Sequence, residues 1–349
     1  MRIVVNDIAA SKGGAMTVLR DFYTCVCQND HENDWVFLLN DRYFPETGNV
    51  KILTLPEIKY SRWKKLLFEF VTGKRFIEAL APDVVFSLQN IITFGLKVPQ
   101  AVYIHQSIPF QSVKRFSFFR ASEKKLAVIQ YLIGGIIKLS ARKSDLVIVQ
   151  TKWMKDAVCR MCHLPQGKVY TSLPVVNGIH NNQGEVAFGP ERFFYPTAEE
   201  IYKNNECIYS ASKMLEENGI GHQVTLTLAP ERSQGSCVCV GRLPYEDVLT
   251  RYRECTLVFP SYIETFGYPL AEARSLGGIV LAADTPFARE VLAGYNNAYF
   301  FDPFRPGELA ELMERIVTGE IKKQMNSVVP AEKHVGWTRV MEWILRMKR

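Results

Sequence analysis

Long hydrophobic runs are missing from this sequence of 349 residues. The longest apolar stretch, Leu126 to Ile137, has twelve residues and contains Gln130, whereas a membrane-spanning helix needs about 20. The first residues, MRIVVNDIAASKGG, also lack the basic, apolar and small-residue regions of a signal peptide. These absences predict a cytoplasmic protein without a transmembrane helix.

Cysteine is sparse, with eight residues whose spacing is unlike that of a disulfide framework. The segment CRMCH at 159–163 matches a haem-attachment pattern, but that chemistry belongs to exported proteins, so we interpret the match as coincidence. No Asp-x-Asp sequence occurs, which removes the simplest nucleotide-diphosphate site built around a divalent cation. We therefore predict no metal site and no resident cofactor.

The glycine patterns of the common nucleotide sites are also absent. After the first predicted strand the chain reads SKGGAM, which is neither G-x-G-x-x-G nor the P-loop pattern. This counts against a dinucleotide-dependent oxidoreductase and a P-loop kinase. Gly13 and Gly14 nevertheless open a predicted helix, where bare backbone can approach a diphosphate. A tight turn that needs glycine explains them equally well.

The two halves of the chain differ in charge. Residues 1–180 contain 24 Lys and Arg against 14 Asp and Glu, a net charge of +10, while the remainder contains 18 against 22, a net charge of −4. An anionic partner is therefore expected for the first half, either nucleic acid or an anionic membrane surface. Because no nucleic-acid-binding module is recognisable, we predict no nucleic-acid partner.

Short β-branched or aromatic runs alternate with helical patterns along both halves, and the length is about twice that of a typical domain. Such alternation predicts two α/β domains, each with a parallel sheet covered on both faces. The segment LPVVNGIHNNQG at 173–184 is rich in Pro, Gly and Asn and lies where the sign of the charge changes. We therefore predict a first domain over 1–180 and a second over 181–334.

Polar residues directly after predicted strands are candidates for the site, because ligands bind outside the carboxyl ends of parallel strands. His105 ends the run AVYIH, although a histidine there more often has a structural role. Lys203 follows the run RFFYP and could neutralise an anion, although an isolated lysine is usually a solvated surface residue.

The sharpest feature is ETFGYPLAE at 264–272, which follows the predicted strand TLVFPS and enters a helix. Gly267 and Tyr268 can offer backbone N–H groups to phosphates at a helix N-terminus. Glu264 and Glu272 can accept hydrogen bonds from hydroxyls of a sugar and a ribose. On spacing alone, a capping carboxylate and a solvated helix glutamate remain the more common explanation.

Together with other segments, this motif resembles the E-x7-E signature of retaining GT-B glycosyltransferases of family 4, within a bacterial surface-polysaccharide subgroup. The similar segments extend over nearly the whole chain. They are Gly13-Gly14, HQSIPF at 105–110, VQTKWM at 149–154, FFYPTAEEIYKN at 193–204, PSYIETFGYPLAEA at 260–273 and FAREVLAGYNNAYFFDP at 287–303.

The resemblance implies two facing Rossmann-like domains with the active site in the cleft between them, and a final helix at 335–349 that returns to the first domain. It implies a metal-independent hexosyltransferase that moves a sugar from a nucleotide-diphosphate sugar to a glycan or lipid-linked acceptor, with retention of configuration. A role in capsule, exopolysaccharide or lipopolysaccharide synthesis follows from the subgroup.

The resemblance also assigns roles to residues. The catalytic set would be His105 on the transferring sugar, Lys203 on the diphosphate and Glu264 on the sugar hydroxyls. The donor-binding set would comprise Gly13, Gly14, Lys203, Phe266, Gly267, Tyr268 and Glu272, with Glu272 on the ribose.

One departure from the family pattern concerns the diphosphate. Many members have a Gly-Arg pair several residues before the lysine, whereas this chain has Tyr195-Pro196 there. A catalytically impaired sugar-binding homologue therefore remains as an alternative. A nucleotide-sugar epimerase with the GT-B fold is a second alternative, although the sequence shows no dedicated acid–base carboxylates for it.

Basic and aromatic residues are interleaved in two stretches of the first half, at 59–75 and at 114–125. Either stretch can dock on the anionic inner face of a membrane that carries a lipid-linked acceptor. An ordinary solvated helix face, with its apolar side in the core, is the equally weighted alternative.

Overall fold

The computed structural model describes residues 1–10, 13–59, 61–174, 176, 187–324 and 336–348. Within these ranges the chain forms two β-sheets in which every strand pair is parallel. The strands are short, buried runs of β-branched and aromatic residues, which suits sheets that are covered on both faces. The predicted α/β class is confirmed.

The first sheet has seven described strands in the order β3-β2-β1-β4-β5-β6-β7. Its strands are β1 (Arg2–Asn6), β2 (Asp34–Leu39), β3 (Val50–Thr54), β4 (Val84–Ser87), β5 (Gln100–Ile104), β6 (Leu146–Val149) and β7 (Val169–Thr171). The helices between and after them are α1 (Gly13–Asn29), α2 (Pro56–Lys59), α3 (Arg62–Leu67), α4 (Gly73–Ala79), α5 (Lys124–Ala127), α6 (Gly134–Lys143) and α7 (Lys152–Cys162). Two π-helical segments, Phe68–Thr72 and Val128–Ile133, join α3 to α4 and α5 to α6.

The second sheet has six described strands in the order β10-β9-β8-β11-β12-β13. Its strands are β8 (Arg192–Tyr195), β9 (Gln223–Leu226), β10 (Cys237–Cys239), β11 (Thr256–Phe259), β12 (Val280–Ala283) and β13 (Ala298–Phe301). The helices are α8 (Asn205–Glu217), α9 (Tyr245–Glu254), α10 (Tyr268–Ser275), α11 (Pro286–Val291), α12 (Pro306–Val317) and α13 (Gly336–Leu345).

Both sheets reverse their strand order at one point, between β1 and β4 in the first and between β8 and β11 in the second. In open parallel sheets the connections leave such a point in opposite directions and open a crevice at the carboxyl ends of the strands. The topology therefore gives each sheet one preferred position for a ligand.

The last helix, α13, is separated in sequence from the first sheet but packs against it. Val340, Met341 and Ile344 belong to the same buried cluster as residues of β1, β2 and α1, and the Trp337 ring lies 5.3 Å from that of Phe22. The predicted domain boundary near residue 180 lies outside the described residues and stays a prediction.

Among the described residues, no helix combines the length and apolar character needed to cross a membrane.

The two basic stretches only partly match a simple amphipathic pattern. Phe68 and Phe116 are buried in the core rather than presented at a surface. Lys65 is partly buried and interacts electrostatically with Asp7 and Glu69. By contrast, Trp63 is 82% exposed and Phe119 is 100% exposed.

Candidate active site

The centre of the candidate site is an ion pair at the reversal point of the second sheet. Lys203 follows β8 and Glu264 follows β11, and the Lys203 Nζ atom lies 2.6 Å from Glu264 Oε1. The Ser261 hydroxyl donates to the same carboxylate oxygen at 2.9 Å. Both charged side chains remain about one-fifth exposed, so the pair is within reach of a ligand.

The loop that carries Lys203 is fixed by neighbouring strands. The Tyr195 hydroxyl donates to the Lys203 carbonyl oxygen at 3.1 Å, and the Tyr195 ring is fully buried against Phe259. Asn204 adopts a left-handed conformation, which asparagine tolerates, and donates to the carbonyl of Pro303 at 2.7 Å. Tyr195, the residue at which the chain departs from the expected Gly-Arg pair, thus positions the lysine from inside the core.

Glu272 occupies a different environment from Glu264. It lies on α10, is largely buried, and accepts hydrogen bonds from the hydroxyls of Tyr245 at 3.0 Å and Tyr252 at 3.1 Å. Burial raises the pKa of this carboxyl, and the two tyrosine hydrogen bonds oppose that rise. Sequence reasoning missed both tyrosines because they lie on α9, well before the motif.

The loop between the two glutamates ends in the N-terminus of α10. Gly267 has a φ of +86°, a conformation that favours glycine, and it caps the helix without a side-chain hydrogen bond. The first backbone N–H groups of a helix have no partner within it, so they can bind phosphate. Phe266 is buried in the hydrophobic cluster of the second domain, so its side chain is not presented to a ligand.

The first domain holds this loop from the other side. The carbonyl oxygen of Thr265 accepts hydrogen bonds from Thr151 Oγ1 at 3.0 Å and from Trp153 Nε1 at 2.8 Å. Glu290 of α11 accepts from the backbone N–H groups of Lys152 and Trp153 at 2.7 and 2.8 Å. This carboxylate therefore caps α7 across the domain interface, a contact that no local sequence signal indicates.

Further contacts between the domains surround the ion pair. Tyr262 and Ile263, next to Glu264, pack in one apolar cluster with Ile108 and Phe116 of the first domain. An interdomain cleft of about 240 Å³ opens beside them and is lined in part by Glu264 and Trp153. Tyr268 lines a second, smaller cavity together with Asp21 of α1.

His105 follows β5 and is held by Asn90. Asn90 Oδ1 accepts from the backbone N–H groups of His105 and Gln106 at 2.8 and 3.0 Å, so the Asn90 amide nitrogen is the end that lies 3.1 Å from His105 Nε2. Burial lowers the pKa of His105 to about 4, and the Lys65 charge adds to this. The imidazole is therefore neutral at physiological pH, accepts at Nε2 and carries its proton on Nδ1.

Gly13 and Gly14 begin α1, the helix that follows β1 in the chain. Gly13 has a φ of +63°, a conformation that favours glycine, whereas Gly14 does not have a positive φ. Apart from its chain neighbours, a Cβ atom at Gly14 would meet no atom of the described residues within 4 Å. The open space above Gly14 is compatible with a ligand that approaches the backbone.

Two Rossmann-like parallel sheets with a cleft between them are the arrangement of the GT-B fold. Residues 228–333 match the sequence profile described as "Glycosyl transferases group 1". Comparison with curated protein sequences gives no match.

Solved structures show the same fold over nearly the full length. Sucrose-phosphate synthase from Thermosynechococcus elongatus is 16% identical, with a TM-score of 0.68 over 99% of this chain and 98% of that one. Anabaena HepE in complex with UDP-glucose is 16% identical, with a TM-score of 0.65 over 99% and 98%. WaaG, a glycosyltransferase involved in lipopolysaccharide biosynthesis, is 12% identical, with a TM-score of 0.66 over 98% and 99%. The GT-B fold expected from the sequence is confirmed.

Proposed function

We propose that this protein is a retaining, family 4-like hexosyltransferase. It moves a sugar from a nucleotide-diphosphate sugar to a glycan or lipid-linked acceptor in bacterial surface-polysaccharide synthesis. The observation that carries the proposal is the contact between Lys203 and Glu264 at the point where the strand order of the second sheet reverses. The group 1 profile over 228–333 and the likeness to HepE and WaaG support it.

The main catalytic requirement is to stabilise the negative charge that develops on the leaving diphosphate. When the bond from the anomeric carbon to the diphosphate breaks, its electron pair stays on the diphosphate oxygen. Lys203 and the backbone N–H groups at the start of α10 stabilise this charge without reorganisation, as preorganised donors do in other enzymes. Glu264 accepts hydrogen bonds from sugar hydroxyls, and Glu272 from the ribose.

Turnover of labelled UDP- and GDP-sugars tests this proposal. We expect free or transferred sugar together with the nucleoside diphosphate, and we expect the rate to persist in excess EDTA because Lys203 meets the leaving charge. Activity that is lost in EDTA and restored by magnesium or manganese would contradict the metal-independent mechanism. Formation of an epimeric nucleotide sugar would instead identify an epimerase, and donor binding without turnover would identify an impaired homologue.

We also propose that the first domain docks on an anionic membrane surface. Trp63, Leu67, Phe70 and Val71 are exposed, and their spacing places them on one side of the helical segment. Phe118, Phe119 and Leu132 are also exposed, and the Phe118 ring lies 5.6 Å from that of Tyr131. Lys124 and Lys125, between these residues in sequence, are exposed as well. Exposed aromatic residues beside lysines match the chemistry of an anionic lipid interface, where each basic residue contributes about 1 kcal/mol.

Vesicle sedimentation tests the docking surface. Changing Trp63, Leu67 and Phe119 to Ser is expected to reduce binding to phosphatidylglycerol vesicles, and changing Lys64, Lys124 and Lys125 to Gln is expected to reduce its salt sensitivity. Phe304→Ser, at an exposed aromatic of the second domain, is the matched control. Equal vesicle binding by all variants, or no vesicle binding by the wild type, would show that these residues do not form a membrane-docking surface.

A further inference from the structure

The first turn of α7 is capped from the second domain rather than by its own cap residue. Thr151 precedes α7, and a threonine in this position ordinarily accepts a hydrogen bond from a backbone N–H of its helix. Thr151 accepts no such bond; the Glu290 carboxylate of the second domain accepts from the first two N–H groups of α7 instead. The Thr151 hydroxyl is therefore left for another contact, and it donates to the Thr265 carbonyl oxygen.

Trp153 donates to the same carbonyl oxygen. Its Nε1 atom lies 2.8 Å from the Thr265 oxygen, and Thr151 Oγ1 lies 3.0 Å from that oxygen. The Trp153 ring is partly buried and packs against hydrophobic clusters of both domains, so the packing fixes the orientation of the indole. A carbonyl oxygen has two lone pairs, and two side chains of the first domain donate to this one.

The carbonyl that these side chains hold lies inside the loop of residues 264–267, which we call the 264–267 loop. A trans peptide unit is planar, so the direction of the Thr265 carbonyl also fixes the direction of the Phe266 N–H. The backbone N–H groups of Thr265, Phe266 and Gly267 donate to no backbone oxygen of the described residues. At the start of the loop, the Glu264 carboxylate is held from within the second domain. The first domain thus controls the part of the loop that offers N–H groups.

Holding the loop in advance has a consequence for binding. A backbone segment that is ordered only when its ligand arrives lowers the affinity, because part of the binding free energy is used to order it. A loop that is already fixed avoids this cost. The contacts of Thr151 and Trp153 lie on the carbonyl side of the Thr265–Phe266 peptide, so they fix the loop without occupying its N–H groups.

We propose that Trp153 is a positioning residue for the nucleotide sugar and that Thr151 assists it. Through the Thr265 carbonyl, the first domain fixes the loop whose Glu264 side chain and N–H groups bind the sugar and its diphosphate. This inference rests on the proposed function, which assigns the 264–267 loop to the nucleotide sugar. It adds that the binding site of the second domain is complete only while the first domain lies against it.

Substitutions close in shape to the native side chains test the two hydrogen bonds. Thr151→Val and Trp153→Phe each remove one hydrogen bond to the Thr265 carbonyl. Each is expected to weaken binding of UDP or GDP, whichever the wild type binds, by about 2- to 10-fold. The double variant removes both hydrogen bonds, and we expect a loss of about 10-fold or more. Because Thr151 does not cap α7, Thr151→Val leaves the helix with its existing partner, Glu290.

Calorimetric titration separates positioning from a general loss of structure. We expect affinity for the nucleoside diphosphate to fall in these variants while affinity for the corresponding nucleoside stays the same. The reason is that the ribose is assigned to Glu272, which lies outside the 264–267 loop. Equal losses for nucleoside and nucleoside diphosphate, or a lower melting temperature with both affinities unchanged, would give Thr151 and Trp153 a structural role only.

Two further variants serve as controls. Thr151→Ser keeps the hydroxyl that donates to Thr265 and should keep the wild-type affinity. Trp343 lies on α13 with its ring 4.7 Å from that of Tyr170, away from the 264–267 loop in the fold. Trp343→Phe is the same chemical change as Trp153→Phe and should leave both affinities unchanged. A loss in Trp343→Phe as large as in Trp153→Phe would contradict the proposal.

A double-mutant cycle on sugar turnover tests whether Trp153 acts through the loop. Trp153→Phe is expected to lower turnover at a fixed, low concentration of nucleotide sugar. In the Glu264→Ala background the same change should cause a smaller loss, because residues that act through one another have non-additive effects. Fully additive losses would mean that Trp153 acts somewhere other than the 264–267 loop.

The outcomes separate this inference from the proposed function. If the wild type binds the nucleoside diphosphate and turns over its sugar, but the double variant does so equally well, the inference about Thr151 and Trp153 alone is wrong. If the wild type neither binds UDP or GDP nor turns over any of their sugars, the proposed function fails and this inference fails with it.

Discussion

Lys203→Gln is expected to lower sugar transfer by about 100- to 1,000-fold, the cost of removing one preorganised donor from a developing negative charge. The substitution removes the cation that lies 2.6 Å from Glu264. The effect should concern the diphosphate, so affinity for UDP or GDP should fall while affinity for the corresponding nucleoside stays the same. Calorimetric titration with both ligands checks this.

An exposed lysine of the same domain provides a matched control for Lys203. Lys213 lies on α8, and its side chain is 74% exposed, so Lys213→Gln should leave both affinities unchanged. Lys203→Arg retains the charge but has a different shape, and we expect partial activity. Wild-type turnover in Lys203→Gln would mean that the diphosphate lies elsewhere.

Glu272→Ala is expected to weaken nucleotide binding by roughly 10- to 150-fold, which corresponds to about 1.5–3 kcal/mol for a lost hydrogen bond to a charged group. The effect should appear with the nucleoside as well as with the nucleotide, because Glu272 is assigned to the ribose. This is the opposite of the pattern expected for Lys203→Gln, and the same titrations distinguish the two.

The effect of Glu272→Ala on the free energy of unfolding has to be measured separately from its effect on nucleotide binding. Removing the carboxylate leaves the buried Tyr252 hydroxyl without its acceptor, at a cost of about 1–3 kcal/mol in unfolding free energy. Tyr252→Phe in the Glu272→Ala background removes the unpaired hydroxyl and should restore stability but not affinity. If affinity returns together with stability, Glu272 has only a structural role.

Parts of the candidate site could be predicted because they depend on local patterns. A β-branched run followed by a helical pattern predicts where a parallel strand ends, and His105, Lys203 and Glu264 were selected by that rule. Asp7 satisfies the same rule at the end of β1, but the only recognisable pattern after that strand is the glycine pair that follows it. The burial of Asp7, which is 1% exposed, could not be predicted from RIVVND.

The positions and environments of other residues depend on contacts between segments that are far apart in the chain. Glu290 and Trp153 are 137 positions apart in the chain and meet across the domain interface. Lys65 follows the basic pattern of its stretch, yet it interacts with Asp7 and Glu69 at the sheet edge rather than lying on an outer basic face. Sequence periodicity defines which side of a helix is apolar, but not which neighbour covers it.

The sequence by itself determined the two parallel α/β sheets, because hydrophobic periodicity and glycine or proline at strand ends act over a few residues. It also determined that a lysine and two glutamates follow the strands of the second half. Only the tertiary structure decided that Lys203 pairs with Glu264, that Tyr245 and Tyr252 bind Glu272, and that Asp7 is closed off from water. Those features arise from packing between segments far apart in the chain, where burial changes the free energy of a charge far more than any neighbour in sequence does.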